Sequence, residues 1–462
     1  HGIPRTDGYP ENVKPSVQTV RNIVYARAAR FDRPETVDIF EQLPSAVQCP
    51  QVPGFLETAM GTTQLPMSED CLTLNVHHPI DSSLRLPVLV WIHGGAFTNG
   101  TANAAWYDGS NLAARGCVVV CLNYRLGAFG FSGARDLGLQ DQISALSWVR
   151  DNIHRFGGDP SNVTIFGESA GGCSVLALFG APDARHLFHK GWAMSPSLGQ
   201  LRTPERATQS ERLLAKELGV SSIIEVRPLD TSAVLQAQGR LLQDPKDVVT
   251  MFSPTVGGDV VASDAYDLIA SDQRPLVIGT LRDENRLWVA LNPASANLTT
   301  DDVKLEFARR FGANMDAAWR TYERLRPEST PAQLLAAMQS DESFRVPAWR
   351  IIDGRARTGA TTWSYFFTWP TPVFEGVLGA CHGLDIPFTF DNIDAPNVEH
   401  FIGASPTHRH LVTSLADTLV LFARSSQCTW SPTGATRTTM QIHEENLLLV
   451  DPERDIYDLW IR

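Results

Sequence analysis

A sharp turn is encoded by residues 167–171, Gly-Glu-Ser-Ala-Gly. The segment before it, residues 162–166 (Asn-Val-Thr-Ile-Phe), is rich in β-branched and aromatic side chains and predicts a strand. The segment after it opens with small residues that suit a helix start. Because the turn is tight, the positions two residues before and after the serine must be small, and both are glycine. The pattern predicts a strand–turn–helix elbow from which Ser169 projects.

Short apolar segments alternate with helical ones on both sides of this elbow. We predict strands at Val88–His93, Cys117–Tyr124, Val163–Gly167, Gly191–Ser195, Pro275–Leu281 and Thr361–Thr368, and a helix at Leu139–Arg155. Strands separated by helices imply an α/β fold with a mainly parallel, doubly wound sheet. Residues 203–245 and 301–357 are expected to be helical insertions over the C-terminal edge of the strands, where such sheets bind ligands. With no repeat or low-complexity linker, residues 1–462 are predicted to form a single domain.

Composition and net charge indicate which kinds of partner the chain is expected to bind. The chain is 43% hydrophobic and 19% charged, as in ordinary globular proteins. Its net charge of −12 disfavours nucleic acid as a partner, since that needs clustered Lys and Arg. No apolar run approaches the roughly 18 residues of a membrane span, so no membrane partner is expected. A cytoplasmic location is predicted, with secretion as the alternative if a leader precedes His1; the oligomeric state is left open.

The seven cysteines show no paired C-x-x-C spacing, which disfavours a zinc site. Cys49 and Cys71 bracket a short loop, and the sequence leaves open whether they pair. We predict no metal and no organic cofactor.

A serine nucleophile needs backbone N–H groups directed at the oxyanion that forms on the substrate. The segment His93-Gly94-Gly95-Ala96-Phe97 follows a predicted strand, and its small residues allow amides to approach a substrate oxygen. The amide of Ala170, directly after the serine, is the expected further donor.

The serine also needs a base and an acid that orients it. After the strand ending at Leu281, Asp283 and Glu284 both fit the acid by spacing. His382 follows an aromatic strand and is framed by Gly379 and Gly383, so it is the expected base. His93 is expected to be structural, and the other histidines are expected at the terminus or surface: His1, His77, His78, His154, His186, His189, His400, His408, His410 and His443. The order serine, acid, histidine is that of α/β-hydrolases.

These residues together resemble the type-B carboxylesterase family, which includes bacterial para-nitrobenzyl esterases and cholinesterases. The similarity runs from about Arg21 to the C-terminus. Residues 68–75 (Ser-Glu-Asp-Cys-Leu-Thr-Leu-Asn) resemble the family signature E-D-C-L-x-L-N, and residues 123–127 and 140–172 are similarly family-like. The resemblance implies an α/β-hydrolase fold and a serine hydrolase that cleaves small carboxylic esters through an acyl-enzyme.

The resemblance also implies roles for individual residues. It favours Glu284 over Asp283 as the acid and His382 as the base. It assigns the oxyanion hole to Gly95, Ala96 and Ala170. It likens Ser195 to a serine that supports the acid, and Arg125 and Glu69 to residues of internal salt bridges.

Several positions depart from the family pattern. Asn285 stands where glycine is usual, Asp385 replaces a glutamate, and Pro196 replaces a glycine. The loop between Cys49 and Cys71 contains no tryptophan, which disfavours choline esters.

Substrate contacts are predicted less directly. Phe97, Phe252, Leu287, Trp288 and Phe374 either line an apolar pocket or belong to the core. Glu168, beside the nucleophile, either tunes the charge of the site or is structural. The alternative activity is hydrolysis of carbamates, anilides or lactones by the same triad. A non-catalytic binding protein of the same fold is disfavoured because all three triad positions are present.

Overall fold

The computed structural model describes residues 16–37, 40–54, 64–80, 84–243 and 250–461. The expectations about His1 and about residues 244–245 lie outside these ranges. The strands of this part are β1 (Val17–Val24), β2 (Ala26–Arg27), β3 (Glu35–Thr36), β4 (Thr73–Pro79), β5 (Leu86–Ile92), β6 (Val118–Leu122), β7 (Gly158–Glu168), β8 (Lys190–Met194), β9 (Leu276–Leu281), β10 (Thr362–Phe367), β11 (Thr439–Ile442) and β12 (Leu447–Leu449).

Within the described ranges, ten of these strands form one sheet in the spatial order β1-β4-β6-β5-β7-β8-β9-β10-β11-β12, while β2 and β3 pair separately. Strands β5 to β11 run parallel to one another, whereas the pairs β1–β4, β4–β6 and β11–β12 are antiparallel. Every residue of β5, β6, β8, β9 and β10 is buried, as expected for parallel strands covered on both faces. The predicted α/β-hydrolase fold is confirmed.

Helices cover both faces of the sheet. The α-helices span Ser110–Ala113, Gly127–Phe131, Leu137–Asn152, Ala170–Phe179, Pro204–Glu217, Ile223–Val226, Thr231–Leu241, Ala265–Ser271, Arg286–Leu291, Thr300–Phe311, Met315–Leu325, Pro331–Ser340, Val346–Thr358, Ile386–Phe390, Glu399–Ile402, His408–Val412, Thr418–Ser425 and Arg454–Ile461. Helices therefore occur in both segments predicted as insertions. Alternate residues of β5 enter opposite cores: Val88, Val90 and Ile92 on one face, Leu89 and Trp91 on the other.

Two predicted surface histidines are buried instead. His77 is 1% exposed and bonds to the hydroxyl of Thr19 at 3.0 Å, and His408 is also buried. The prediction for His77 failed because β1, not predicted from the sequence, pairs with β4 and covers it.

Arg125 and Glu69 belong to two different ion pairs. Arg125 makes a buried bidentate pair with Asp141, whereas Glu69 pairs with Arg30. Cys49 and Cys71 are free, buried thiols with their sulfur atoms 2.9 Å apart. Each helix in the described ranges is too short or too polar to cross a bilayer.

Candidate active site

The elbow has the backbone geometry that its glycines predict. Ser169 lies between β7 and the helix Ala170–Phe179 with φ 58° and ψ −118°, a strained conformation for a residue with a side chain. A Cβ on Gly171 would lie 2.0 Å from the carbonyl oxygen of Ile92, and one on Gly167 would lie 2.6 Å from the backbone of Gly171. Only glycine fits these two positions, so the elbow can pack directly against the end of β5.

The acid and base predicted from distant segments meet at the end of the sheet. Oε2 of Glu284 lies 2.6 Å from Nδ1 of His382, and both side chains are buried. The other carboxylate oxygen accepts hydrogen bonds from Oγ of Ser195 (2.7 Å) and from the N–H of Leu281 (2.8 Å). Because one carboxylate oxygen is held by Ser195 and Leu281, the other oxygen is fixed beside Nδ1. Glu284 therefore orients the imidazole and favours a proton on Nδ1.

Asp283, the alternative acid by spacing, does not contact the imidazole of His382. Its side chain accepts the N–H of Ala380 at 3.1 Å, and its own N–H donates to the carbonyl of Ala380 at 3.0 Å. The N–H of His382 donates to the carbonyl of Glu284 at 3.3 Å. Asp283 therefore ties the loop of the acid to the loop of the base.

A third carboxylate approaches the other ring nitrogen of His382. Oε1 of Glu168 lies 2.9 Å from Nε2, and Glu168 is 3% exposed. Burial acts to lower the pKa of His382, but the charge of Glu168 and then that of Glu284 outweigh it and raise the pKa well above the ordinary value. Burial and the charge of Glu168 raise the pKa of Asp385 to about 8, and the hydroxyl of Tyr365 donates to it.

Residues 93–97, which we call the oxyanion loop, lie against the elbow. A Cβ on Gly94 would be 3.2 Å from Cβ of Ser169, which shows how closely the two backbones approach. Gly95 (φ 104°) and Ala96 (φ 52°) both have left-handed backbone, unusual for alanine. Ala170 opens its helix, where a backbone N–H has no partner within the helix. The three predicted donors thus come from two adjacent loops.

His93, from the same loop, is fully buried and stacks on Tyr124 at 4.5 Å. Burial lowers its pKa to about 4. These features match the structural role expected for it.

The predicted pocket residues fall into three groups. Phe97, Phe252 and Leu287 belong to the apolar cores. Trp288 is 41% exposed with its ring 4.9 Å from that of His382, whereas Phe374 is 71% exposed.

Phe344 was not predicted from the sequence to be part of the site. Its ring lies 4.8 Å from that of His382 and stacks on the ring of Trp288. Phe344 stands in a helical segment 38 residues before His382, and no local pattern links the two.

The chain is similar to known proteins over most of its length. The sequence profile of the carboxylesterase family matches residues 7–453. The para-nitrobenzyl esterase of Bacillus subtilis (strain 168) is 33% identical, with 98% of this chain and 96% of the relative covered. Phenmedipham hydrolase of Pseudarthrobacter oxydans is 34% identical over 84% of this chain and 80% of the relative. A probable N-octanoylanthranilate hydrolase of Rhodococcus erythropolis is 34% identical, with 82% of each covered.

Solved structures give the same result. A structure of PNB esterase aligns with a TM-score of 0.83 at 31% identity and covers 98% of this chain and 97% of its own. Since the family profile spans nearly the whole chain and these relatives are similar over most of their length, the chain belongs to the carboxylesterase family and is a hydrolase of small carboxylic esters.

Proposed function

We propose that Ser169, His382 and Glu284 form the catalytic triad of this esterase. The observation that carries the proposal is the 2.6 Å contact between Glu284 and His382 at the end of the sheet where the elbow presents Ser169. Nε2 of His382 takes the proton of the serine hydroxyl as Oγ attacks the ester carbonyl. The same nitrogen then protonates the departing alcohol, and a water molecule hydrolyses the acyl-enzyme by the same route. Glu284 stabilises the imidazolium in both steps.

The N–H groups of Gly95, Ala96 and Ala170 are proposed to bind the oxyanion. Two observations support this assignment. The loop of Gly95 and Ala96 lies close to the elbow, and Ala170 is in the first turn of its helix, where backbone N–H groups have no acceptor within the helix. Because these are backbone donors, alanine at position 96 serves as well as glycine.

In the arrangement described, Nε2 of His382 contacts Glu168 and makes no hydrogen bond of good geometry to any described residue. We infer that the imidazole exchanges Glu168 for Oγ of Ser169 when substrate binds, since catalytic hydrogen bonds often tighten only in the substrate complex. The exchange moves Nε2 away from the carboxylate that raises the pKa of His382 most, which favours the neutral base.

Trp288 is the best-supported of the substrate-contacting residues because it combines exposure with contact to His382. Phe344 extends the same apolar wall. Phe97, Phe252, Leu287 and Phe374 stay predicted pocket residues. A site walled by aromatic rings favours esters with an apolar acyl or alcohol group.

The triad is tested by intact mass spectrometry after treatment with a dialkyl fluorophosphate. The wild-type chain is expected to gain one phosphoryl adduct, while Ser169→Ala is expected to gain none and to lose ester hydrolysis by at least about 10⁴-fold. Ser197→Ala, which removes a buried serine of a neighbouring loop, is the matched control and keeps the adduct. An adduct that persists in Ser169→Ala contradicts the assignment.

A second candidate activity is hydrolysis of anilides and carbamates by the same residues. One relative is named as an N-octanoylanthranilate hydrolase, and this name describes an N-acyl substrate. The similarity therefore favours anilides as a second class of substrate for this chain. Nitrophenyl esters of increasing acyl length, one anilide, one carbamate and one lactone form the test panel. An anilide or carbamate with a kcat/KM above that of every ester would make the second activity the main one.

A further inference from the structure

A π-helical turn, Asp341–Arg345, joins the helices Pro331–Ser340 and Val346–Thr358 into one continuous rod. The N–H of Val346 donates to the carbonyl of Asp341, five residues earlier. Pro347 explains the irregular turn, because proline has no N–H and its ring would clash with the carbonyl four residues before it in a regular α-helix. Turns of this kind inside α-helices are frequent at functional sites.

This π turn contacts the backbone that carries the acid. We call residues 281–285, which end in Glu284-Asn285, the acid turn. The guanidinium of Arg345 donates from Nη2 to the carbonyl oxygens of Leu281 (3.2 Å) and Arg282 (2.8 Å). Arg345 is therefore bonded to the two residues where β9 ends and the acid turn begins.

The same rod contacts the other side of the acid turn and the base. The N–H of Asn285 donates to Oγ of Ser340 at 2.9 Å. Phe344, next to Arg345, packs its ring 4.8 Å from that of His382. The segment from Ser340 to Arg345 thus brackets Glu284 along the chain and supports the imidazole it orients.

The guanidinium is itself held in place. Nη1 of Arg345 donates to Asp341, which also accepts the hydroxyl of Tyr322 at 2.6 Å. The guanidinium lies over the ring of Phe366 at 4.7 Å. Arg345 is 3% exposed and Asp341 is fully buried. A buried guanidinium fixed on one side by a carboxylate can hold backbone carbonyls on the other with little freedom to move.

We propose that Arg345 is a positioning residue for the triad: anchored by Asp341, it holds the acid turn so that Glu284 reaches Nδ1 of His382. This role rests on the proposed function, in which Glu284 is the acid. Loss of the guanidinium lets the acid turn move, and a displacement of about 1 Å in a catalytic group costs up to about 100-fold in rate.

Arg355 provides a matched control on the same rod. It is fully buried and donates to four backbone carbonyls, those of Ile269, Asp272, Arg274 and Thr361. Two of these carbonyls belong to the end of the helix Ala265–Ser271, and the other two lie just before β9 and β10, at the end opposite to the acid turn. Arg345→Lys and Arg355→Lys therefore both exchange a buried guanidinium for an ammonium, but only Arg345 is hydrogen-bonded to the acid turn.

The experiment measures kcat and KM of both variants, and of Asp341→Asn, at a temperature where each is folded by circular dichroism. Arg345→Lys is expected to lose about 10- to 100-fold in kcat with KM changed by less than about 3-fold. Asp341→Asn, which loosens the anchor, is expected to lose less. Arg355→Lys is expected to lower the melting temperature but to keep kcat within about 3-fold.

A double-mutant cycle separates positioning from general damage. In the background Glu284→Gln, the further change Arg345→Lys is expected to have almost no effect, because the turn it holds no longer presents a carboxylate. Equal losses in the two backgrounds, or equal losses in kcat for Arg345→Lys and Arg355→Lys, overturn the positioning role and leave the triad intact. A Glu284→Gln variant with wild-type kcat overturns the proposed acid, and the positioning role with it.

Discussion

At the scale of single residues, the site is dominated by carboxylates around one histidine. Glu284 contacts Nδ1 of His382 and Glu168 contacts Nε2, so the ring has an acidic neighbour at each nitrogen. Of these two contacts, a catalytic triad requires only the one between Glu284 and Nδ1. Glu168 raises the pKa of His382, and the proposed base must be neutral to act, so we expect Glu168 to set the lower pH limit of activity.

We therefore expect Glu168→Gln to lower the pKa of His382. With its imidazole neutral down to a lower pH, the variant should have the acid limb of its kcat/KM profile shifted to lower pH by about one unit. The measurement is a pH–rate profile with a neutral ester. Glu205→Gln, which changes an exposed glutamate on the helix Pro204–Glu217, should leave the limb in place. A limb that does not move, or moves to higher pH, would show that Glu168 does not control the titration.

At the scale of elements, the elbow shows steric fit overruling helix propensity. Gly171 lies in the helix Ala170–Phe179, where alanine would be preferred by about 1 kcal/mol. A Cβ there would overlap the carbonyl of Ile92 at the end of β5. Gly171→Ala is therefore expected to push the helix from the sheet, lowering the free energy of unfolding by about 2 kcal/mol or more and displacing Ser169.

Gly239 is the control for this prediction. It lies inside the helix Thr231–Leu241 and an added Cβ would meet nothing within 4 Å. Gly239→Ala should therefore stabilise the protein by about 0.5–1 kcal/mol, measured by urea unfolding. The steric account fails if Gly171→Ala is as stable and as active as Gly239→Ala.

At the scale of the whole molecule, buried acids make stability depend on pH. Asp136, fully buried before the helix Leu137–Asn152, accepts the N–H of Thr255 from far along the chain. Burial raises its pKa to about 8, although Arg202 opposes the shift. The folded state thus binds a proton that the unfolded state releases near pH 4, so this contribution to stability is full below about pH 4 and is lost as the pH rises to about 8.

Asp136→Asn keeps the acceptor and tolerates the left-handed backbone there. The free energy of unfolding of the wild type is expected to fall relative to this variant between about pH 4 and pH 8, by up to about 1.4 kcal/mol per unit. Urea melts across this range measure the difference. Asp316→Asn, at an exposed helix start, should run parallel to the wild type. Parallel curves for Asp136→Asn would contradict the linkage.

The sequence by itself determined the fold class, the elbow and the family, because these depend on local patterns: strand-like runs, small residues around Ser169 and contiguous signatures. Strand bounds were predicted to within two residues where apolar runs are continuous, but β7 begins at Gly158, five residues before its predicted start. Edge strands such as β1 were not, because their half-exposed residues lack such runs, and His77 was misplaced as a result.

Tertiary structure alone decided which side chains meet. Spacing could not separate Asp283 from Glu284; their backbone turn sends one to Ala380 and the other to His382. Phe344 and Arg345 reach the site from a helix whose sequence shows no sign of it. The physical reason is that contacts between segments far apart in the chain depend on how the helices and strands pack. A local sequence pattern does not specify which distant segment its residues contact.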